Sequence, residues 1–311
     1  MISSLNLQLL DLQFLADGIL AGAMIGLGAI GVTLTYAILR FSNFAHGEFV
    51  SFGAYATLLG SSLLGAIAGS FTEPIGPFSF GWGVVLAGLV GMLLTGGLAL
   101  ALDLVLFRHL RHKAGSITVV IASFGASMAL RSAIEFIFTS RPAYFSRELQ
   151  IAMPLGLGVK ITPDQLLLIV IAALLVTLMH LLLTRTRIGR SMRAVSENPA
   201  LARVVGVDVA SIVRVTWITG AALACAAGIM VGILVQIRPH MGFDLLLPFF
   251  AAAILGGIGS VPGALIGGLV VGIAEASAVQ TIGAEWRGAI AFLILIAVLL
   301  VRPTGIFGKP A

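Results

Sequence analysis

The 311-residue chain is 59% hydrophobic and only 10% charged, with 38 glycines spread through apolar stretches and a formal net charge of +5. Soluble chains carry about 25% charged residues. This composition therefore excludes a water-soluble body, a disordered chain, a collagen and a nucleic-acid binder, and leaves an integral membrane protein.

The stretch MISSLNLQLLDLQFLADG holds no Lys or Arg. It lacks the basic start of a cleavable signal, so the chain is expected to insert through its own first span. Crossing the hydrocarbon takes about 20 apolar residues. Such spans are predicted over 17–39, 81–107, 117–138, 165–184, 213–237 and, shorter, 287–301. Two apolar regions are interrupted. Region 41–68 opens FSNFAHGEF, with Asn43, His46 and Glu48 inside it. Region 244–282 is broken by Pro248, Gly256, Gly257, Gly259 and Pro262, and is long enough for a partial span followed by a full one. The fold class is all-α. It is a polytopic bundle of about eight or nine membrane segments, two of them discontinuous or re-entrant, in a single transmembrane domain over 1–311.

Orientation follows from the basic residues. With the N-terminus outside, the inner side holds Arg40, Arg108, Arg111, Lys113, the six arginines of 185–214, Arg302 and Lys309. The outer side holds Arg141, Arg147, Lys160, Arg238 and Arg287. Lys and Arg gather in cytoplasmic loops, which predicts N-out and C-in. The two interrupted regions each follow an uninterrupted span, and paired broken segments point to a transport site because half-helix ends can hold a substrate. They read either as halves of an internal repeat or as two independently irregular helices.

In chain order, Gly18, Gly22 and Gly26 share a four-residue spacing with Gly259, Gly263 and Gly267. Small residues at that interval let helix backbones approach closely. An intramembrane carboxylate is costly, so Glu48 and its neighbour His46 mark either the path of a substrate or the geometry of the broken segment. Asn43 is expected to cap a helix. Arg131 and Glu135, four apart, are expected to pair on one helical face, with contact to a zwitterionic substrate as the alternative. Cys225, the single cysteine, is read as a packed thiol. Gly26 to Gly31 fits GxGxxG, but within a span and without a βαβ unit it binds no dinucleotide. There is no GxxxxGK[ST] loop, so the sequence carries no P-loop signature for ATP. No cofactor or metal set is visible.

The longest polar stretch is 185–214, RTRIGRSMRAVSENPALARVVGVDVASIVR. Asn198 can cap free amides and Pro199 suits a first turn. Gly206 fits the left-handed position just past a helix end. Residues 199–205 therefore read as a short capped helix held between two spans. It is either a docking surface for a cytoplasmic partner or a basic strip on anionic lipid.

Three runs resemble one family. GRSMRAVSENPALARVVGVDV is similar to the cytoplasmic coupling segment of ATP-binding-cassette importer permeases for branched-chain amino acids. RFSNFAHGEFVSFGAYAT, with Asn43, Ala45, His46, Gly47 and Glu48, resembles the segment after that family's first span. AAAILGGIGSVPGALIGGLVVG resembles its glycine-rich region. The matches run in order over nearly the whole chain, and the length resembles the shorter, LivH-type subunit.

The resemblance implies a non-enzymatic, multi-pass permease of the bacterial inner membrane. Its partners would be a second, LivM-like permease subunit, two cytoplasmic ATPase subunits that use the ATP, and a periplasmic substrate-binding protein. The coupling role falls on Arg193, Ala194, Glu197, Asn198, Pro199, Ala200 and Gly206 within 185–214. The translocation path or broken-segment geometry falls on Asn43, His46, Gly47, Glu48, Gly256, Gly257 and Gly259. A urea or short-amide importer is the alternative within the class. A stand-alone secondary transporter or channel is the alternative outside it.

Overall fold

A computed structural model describes residues 12–308 apart from 114, 147, 149, 157 and 303. Arg147 and Lys309 of the charge count, and the start of the N-terminal stretch, lie outside the described residues. Among the described residues, eight helices are long and apolar enough to cross a membrane, and Met241–Gly256 is apolar but shorter. In chain order the first elements are α1 (Gln13–Leu39), α2 (His46–Ile67) and α3 (Trp82–Leu102). A π turn, Asp103–Phe107, continues α3 into α4 (Arg108–Lys113), and α5 is Ser116–Phe138. The small hairpin β1 (Met153–Gly156) and β2 (Val159–Ile161) precedes α6 (Pro163–Arg185). Two short helices, α7 (Arg187–Glu197) and α8 (Pro199–Val204), lead to α9 (Val209–Leu234). The chain closes with α10 (Met241–Gly256), α11 (Val261–Thr281) and α12 (Arg287–Val301).

A helix apolar on every side belongs in an interior, and α1 is such a helix. In its most apolar window 83% of residues are buried, against 6% for the last span, so α1 is the axis and α12 the periphery. α1 packs antiparallel on α11, with Gly18 facing Ile273, Gly22 facing Leu269 and Gly26 facing Leu265. A Cβ on Gly22 would stand 2.7 Å from the Leu269 Cα and 2.9 Å from the Gly268 carbonyl oxygen. The second glycine triplet also packs closely, in part and against a different neighbour. Gly259 lies in the turn before α11, Gly263 and Gly267 face α10 backbone, and it is Gly268 and Gly272 that meet α1. Overpacking a tight core costs about 1–3 kcal/mol. Gly22→Leu is expected to lower the unfolding temperature in detergent clearly. Gly97→Leu, where nothing lies within 4 Å, should leave it nearly unchanged.

The breaks in the helices have identifiable causes. Arg40, in the left-handed region at φ 57°, ends α1. The interruption expected inside 41–68 therefore falls ahead of the helix, in residues 41–45, and α2 runs unbroken from His46. The partial-then-full pattern expected over 244–282 is present as α10 and α11. Gly257 and Gly259, at φ +93° and +91°, make the turn between them. The carbonyls left free at the end of α10 are taken by the C-terminal tail. The Ile306 amide donates to the Leu255 oxygen (2.8 Å) and the Phe307 amide to the Gly256 oxygen (3.2 Å).

One end of the bundle gathers Arg40 and α7, since Arg40 Nη2 donates to the Ser196 and Glu197 carbonyls. The α10–α11 turn sits against the C-terminal half of α1, where the Gly259 amide donates to Thr33 Oγ1 (3.2 Å). At the opposite end of α1, Gln13 bonds the Lys160 backbone of the hairpin. Glu275 is buried 3.7 Å from Arg287.

Candidate functional site

The first two turns of α2 and the start of α10 meet inside the bundle. Ser51 Oγ donates to the Pro239 carbonyl and accepts from the Gly242 amide, each at 3.0 Å. Gly47 and Gly242 stand backbone to backbone, and a Cβ on either would run into the other's carbonyl. The two helices thus begin with their first turns joined, though their starts lie almost 200 residues apart in sequence (46 and 241).

Glu48, in the first turn of α2, is fully buried. Its Oε1 accepts from Ser127 Oγ at 2.9 Å, from Arg131 Nη2 at 2.9 Å and from Arg131 Nε at 3.3 Å. The Arg131 guanidinium lies 4.2 Å over the ring of Phe243 in α10. One ion pair therefore touches three elements, α2, α5 and α10. This corrects the expected Arg131–Glu135 pair: Glu135 instead accepts from Ser140 Oγ (2.5 Å) just beyond the end of α5. Both carboxylates are within helical or tertiary reach of α5, and packing gives Arg131 the buried one.

His46 is buried edge-on to Phe49 and Phe249, at centroid distances of 6.0 and 6.4 Å. Gly31 makes its room, since a Cβ there would lie 2.6 Å from the His46 Cε1. Asn43 does not cap α2. Its Oδ1 accepts from the Ala45 amide (3.1 Å), forming a turn ahead of the helix, and α2 has no side-chain cap. Cys225 is buried against Gly53. Gly256, Gly257 and Gly259 lie at the α10–α11 turn and under the C-terminal tail.

Sequence reasoning misses Ser51, Ser127 and Phe243. For Ser127 a signal exists: Ser123, Ser127 and Arg131 follow at four-residue intervals on one face of α5, and Ser123 Oγ accepts from the Phe44 amide (3.1 Å).

The polar segment forms two helices rather than one. Thr186 Oγ1 caps α7 by accepting from the Gly189 amide (3.1 Å). The Asn198 Oδ1 accepts from the Ala200 and Leu201 amides, each at 3.0 Å, so α8 starts where the cap predicts. Gly206 follows at φ +85°. Asp208 Oδ1 accepts from the Ala210 amide (3.0 Å) at the head of α9. Hydrogen bonds from Ser211, chiefly its side chain, hold the Asp208 carboxyl below the usual carboxylate range. A lowered carboxylate pKa contributes above its unfolded value and is lost as pH falls through the folded one, so this cap is complete at neutral pH.

Met192, Val195 and Ala202 bury the inner face of the pair, while Leu201, Val204 and Val205 stand exposed beside Arg193, Glu197 and Ala200. Arg40 donates to the last carbonyls of α7, where a cation is favoured, and so fastens α7 to the end of α1. Removing an Asn cap costs about 0.5–2 kcal/mol. Asn198→Ala is expected to speed amide exchange across α8 while leaving α9 protected, as measured by hydrogen–deuterium exchange.

A bundle of spanning helices with two helix starts joined inside it, and a capped helix pair fastened to one end, is a polytopic membrane transport protein. A family model described as "Branched-chain amino acid transport system / permease component" matches residues 14–299, and the chain belongs to that family. The chain is similar to the high-affinity branched-chain amino acid transport system permease protein LivH of Escherichia coli (strain K12), with 33% identity covering 96% of each chain. It is equally similar to BraD of Pseudomonas aeruginosa, also at 33% over 96% of each. A probable branched-chain amino acid transport permease protein LivH of Methanocaldococcus jannaschii is 28% identical, covering 99% of this chain and 96% of that one.

Proposed function

We propose that this chain is the channel-forming permease subunit of an ATP-driven importer for branched-chain or related hydrophobic amino acids, working by alternating access. The observation that carries the reading is the capped α7–α8 pair, exposed on its outer face and fastened through Arg40 to the buried axis helix, in a chain of this family. Arg193, Ala194, Glu197, Asn198, Pro199, Ala200 and Gly206 form the surface that a cytoplasmic ATPase pushes, and 185–214 is the coupling segment of one transmembrane domain spanning 1–311. A rigid helix on a spanning element's end conveys such a push.

The chain binds no cofactor of its own. Two ATPase subunits, a second, LivM-like permease and a periplasmic binding protein complete the importer in the bacterial inner membrane, with the N-terminus outside and the C-terminus inside. A tagged pull-down in mild detergent from the native host tests this. Recovery of two nucleotide-binding subunits and another polytopic protein, with ATP-dependent leucine, isoleucine or valine uptake on reconstitution, is expected. Recovery of this chain alone, beside a control importer that stays intact, would overturn the reading. Uptake blocked by urea or short amides would reassign the substrate.

A further inference from the structure

The geometry points to Glu48 and Arg131 as a substrate-exchangeable ion pair, opened by the ammonium and carboxylate of the transported amino acid. The inference rests on the importer reading above and names the residues that recognise its substrate. Arginine–carboxylate pairs are frequently bidentate, with two parallel bonds to the two carboxylate oxygens. Here Arg131 Nε and Nη2 both donate to one oxygen, Oε1, which Ser127 also uses. Oε2, equally buried, has no hydrogen-bond partner among the described residues. A buried carboxylate oxygen left so is costly, and an ammonium group bringing donors would satisfy it.

The pair is also reachable. The Arg131 side chain is 16% exposed, and Phe243, the ring over it, is 39% exposed. The site therefore lies one side chain beneath the bundle surface. An α-amino acid supplies both missing charges: its ammonium goes to Glu48 Oε2, and its carboxylate takes the guanidinium fork. Two paired charges become four in two pairs, so no charge is left bare in the interior. The exchange loosens the α2–α5 tether beside the Phe243 contact of α10, giving the ligand a differential grip on two states. A ligand with only one of the charges leaves a buried partner exposed to the full penalty of an unpaired charge.

The test uses the purified permease–ATPase complex without binding protein. Tritiated leucine binding at millimolar ligand is competed by 4-methylpentanoate, which lacks the ammonium, and by 3-methylbutylamine, which lacks the carboxylate. In the wild type, leucine is expected to be preferred over both. Charge-assisted hydrogen bonds carry about tenfold each or more. Glu48→Gln should therefore narrow the preference over 4-methylpentanoate about tenfold while keeping that over the amine. Arg131→Lys, which keeps the charge balance where Glu48→Gln fails to assemble, should narrow the preference over the amine alone. Equal weakening for all three ligands, as a purely structural pair gives, would overturn the assignment. So would a wild-type complex that imports leucine yet holds none at the permease. If the wild-type assembly shows no ATP-dependent leucine uptake at all, it is the importer reading that fails.

Discussion

Glu48→Ala is expected to be among the most destabilising single substitutions in the chain, by about 3–5 kcal/mol. The carboxylate it removes is fully buried and is the ion-pair partner of Arg131. That leaves a cation under Phe243 and a Ser127 hydroxyl without its acceptor. Whole-protein stabilities run to about 5–15 kcal/mol, so the variant should appear at low abundance and unfold at a much lower temperature in detergent. The double change Glu48→Leu with Arg131→Met separates the cause. Replacing both members of a buried pair by apolar groups is often neutral or stabilising, so the double variant should recover most of the lost unfolding temperature. If it is as unstable as Glu48→Ala, the loss comes from packing around α2 and not from an orphaned charge. The recovered double variant should still not transport, because stability and recognition then part company at the same two positions.

The legibility of each feature in the sequence depends on the range over which its signal acts. The spanning helices follow from local apolar length, and their ends fall within a few residues of expectation. The start of α8 is legible because Asn198, Pro199 and Gly206 act within one short helix, and the cap bonds fall on the expected amides. α7 escapes notice because its arginines dominate the stretch. Yet Ile188, Met192 and Val195 recur at helical spacing, and the last two are buried.

The Glu48–Arg131 pair lies beyond local reach. The i,i+4 rule offers Glu135 with equal force, and only the docking of α2 on α5, across 83 residues, decides between them. The partner of the second glycine stripe is undecided in the sequence for a related reason. α11 shows two small faces, one to α1 through Gly268 and Gly272 and one to α10 through Gly263 and Gly267. Spacing identifies a close-packing face but not the helix that will cover it. The break near residue 41 reads as internal to a helix because Phe41 and Phe44 are as apolar as the residues of α2; α1 ends at Arg40 instead.

Ala200→Trp is expected to abolish import while leaving the fold intact. Ala200 is exposed in the first turn of α8, and its amide, not its side chain, is held by Asn198. Surface substitutions away from caps and cores fall within about 0.5 kcal/mol, so the unfolding temperature should hold. The indole would project beside exposed Leu201, Val204 and Val205, where an ATPase surface would seat closely under the proposed coupling role. Complexes carrying the variant should lose the ATPase subunits on purification, or hydrolyse ATP without uptake, and accumulation should fall by more than tenfold. Normal uptake with normal ATPase recovery would remove α8 from the coupling path, since a docked helix has no space for that ring. Loss of uptake with retained docking would localise the fault further in. It would lie between α7 and the axis helix, where Arg40 and the two carbonyls it holds would, on the proposed coupling role, carry a push on α8 to α1.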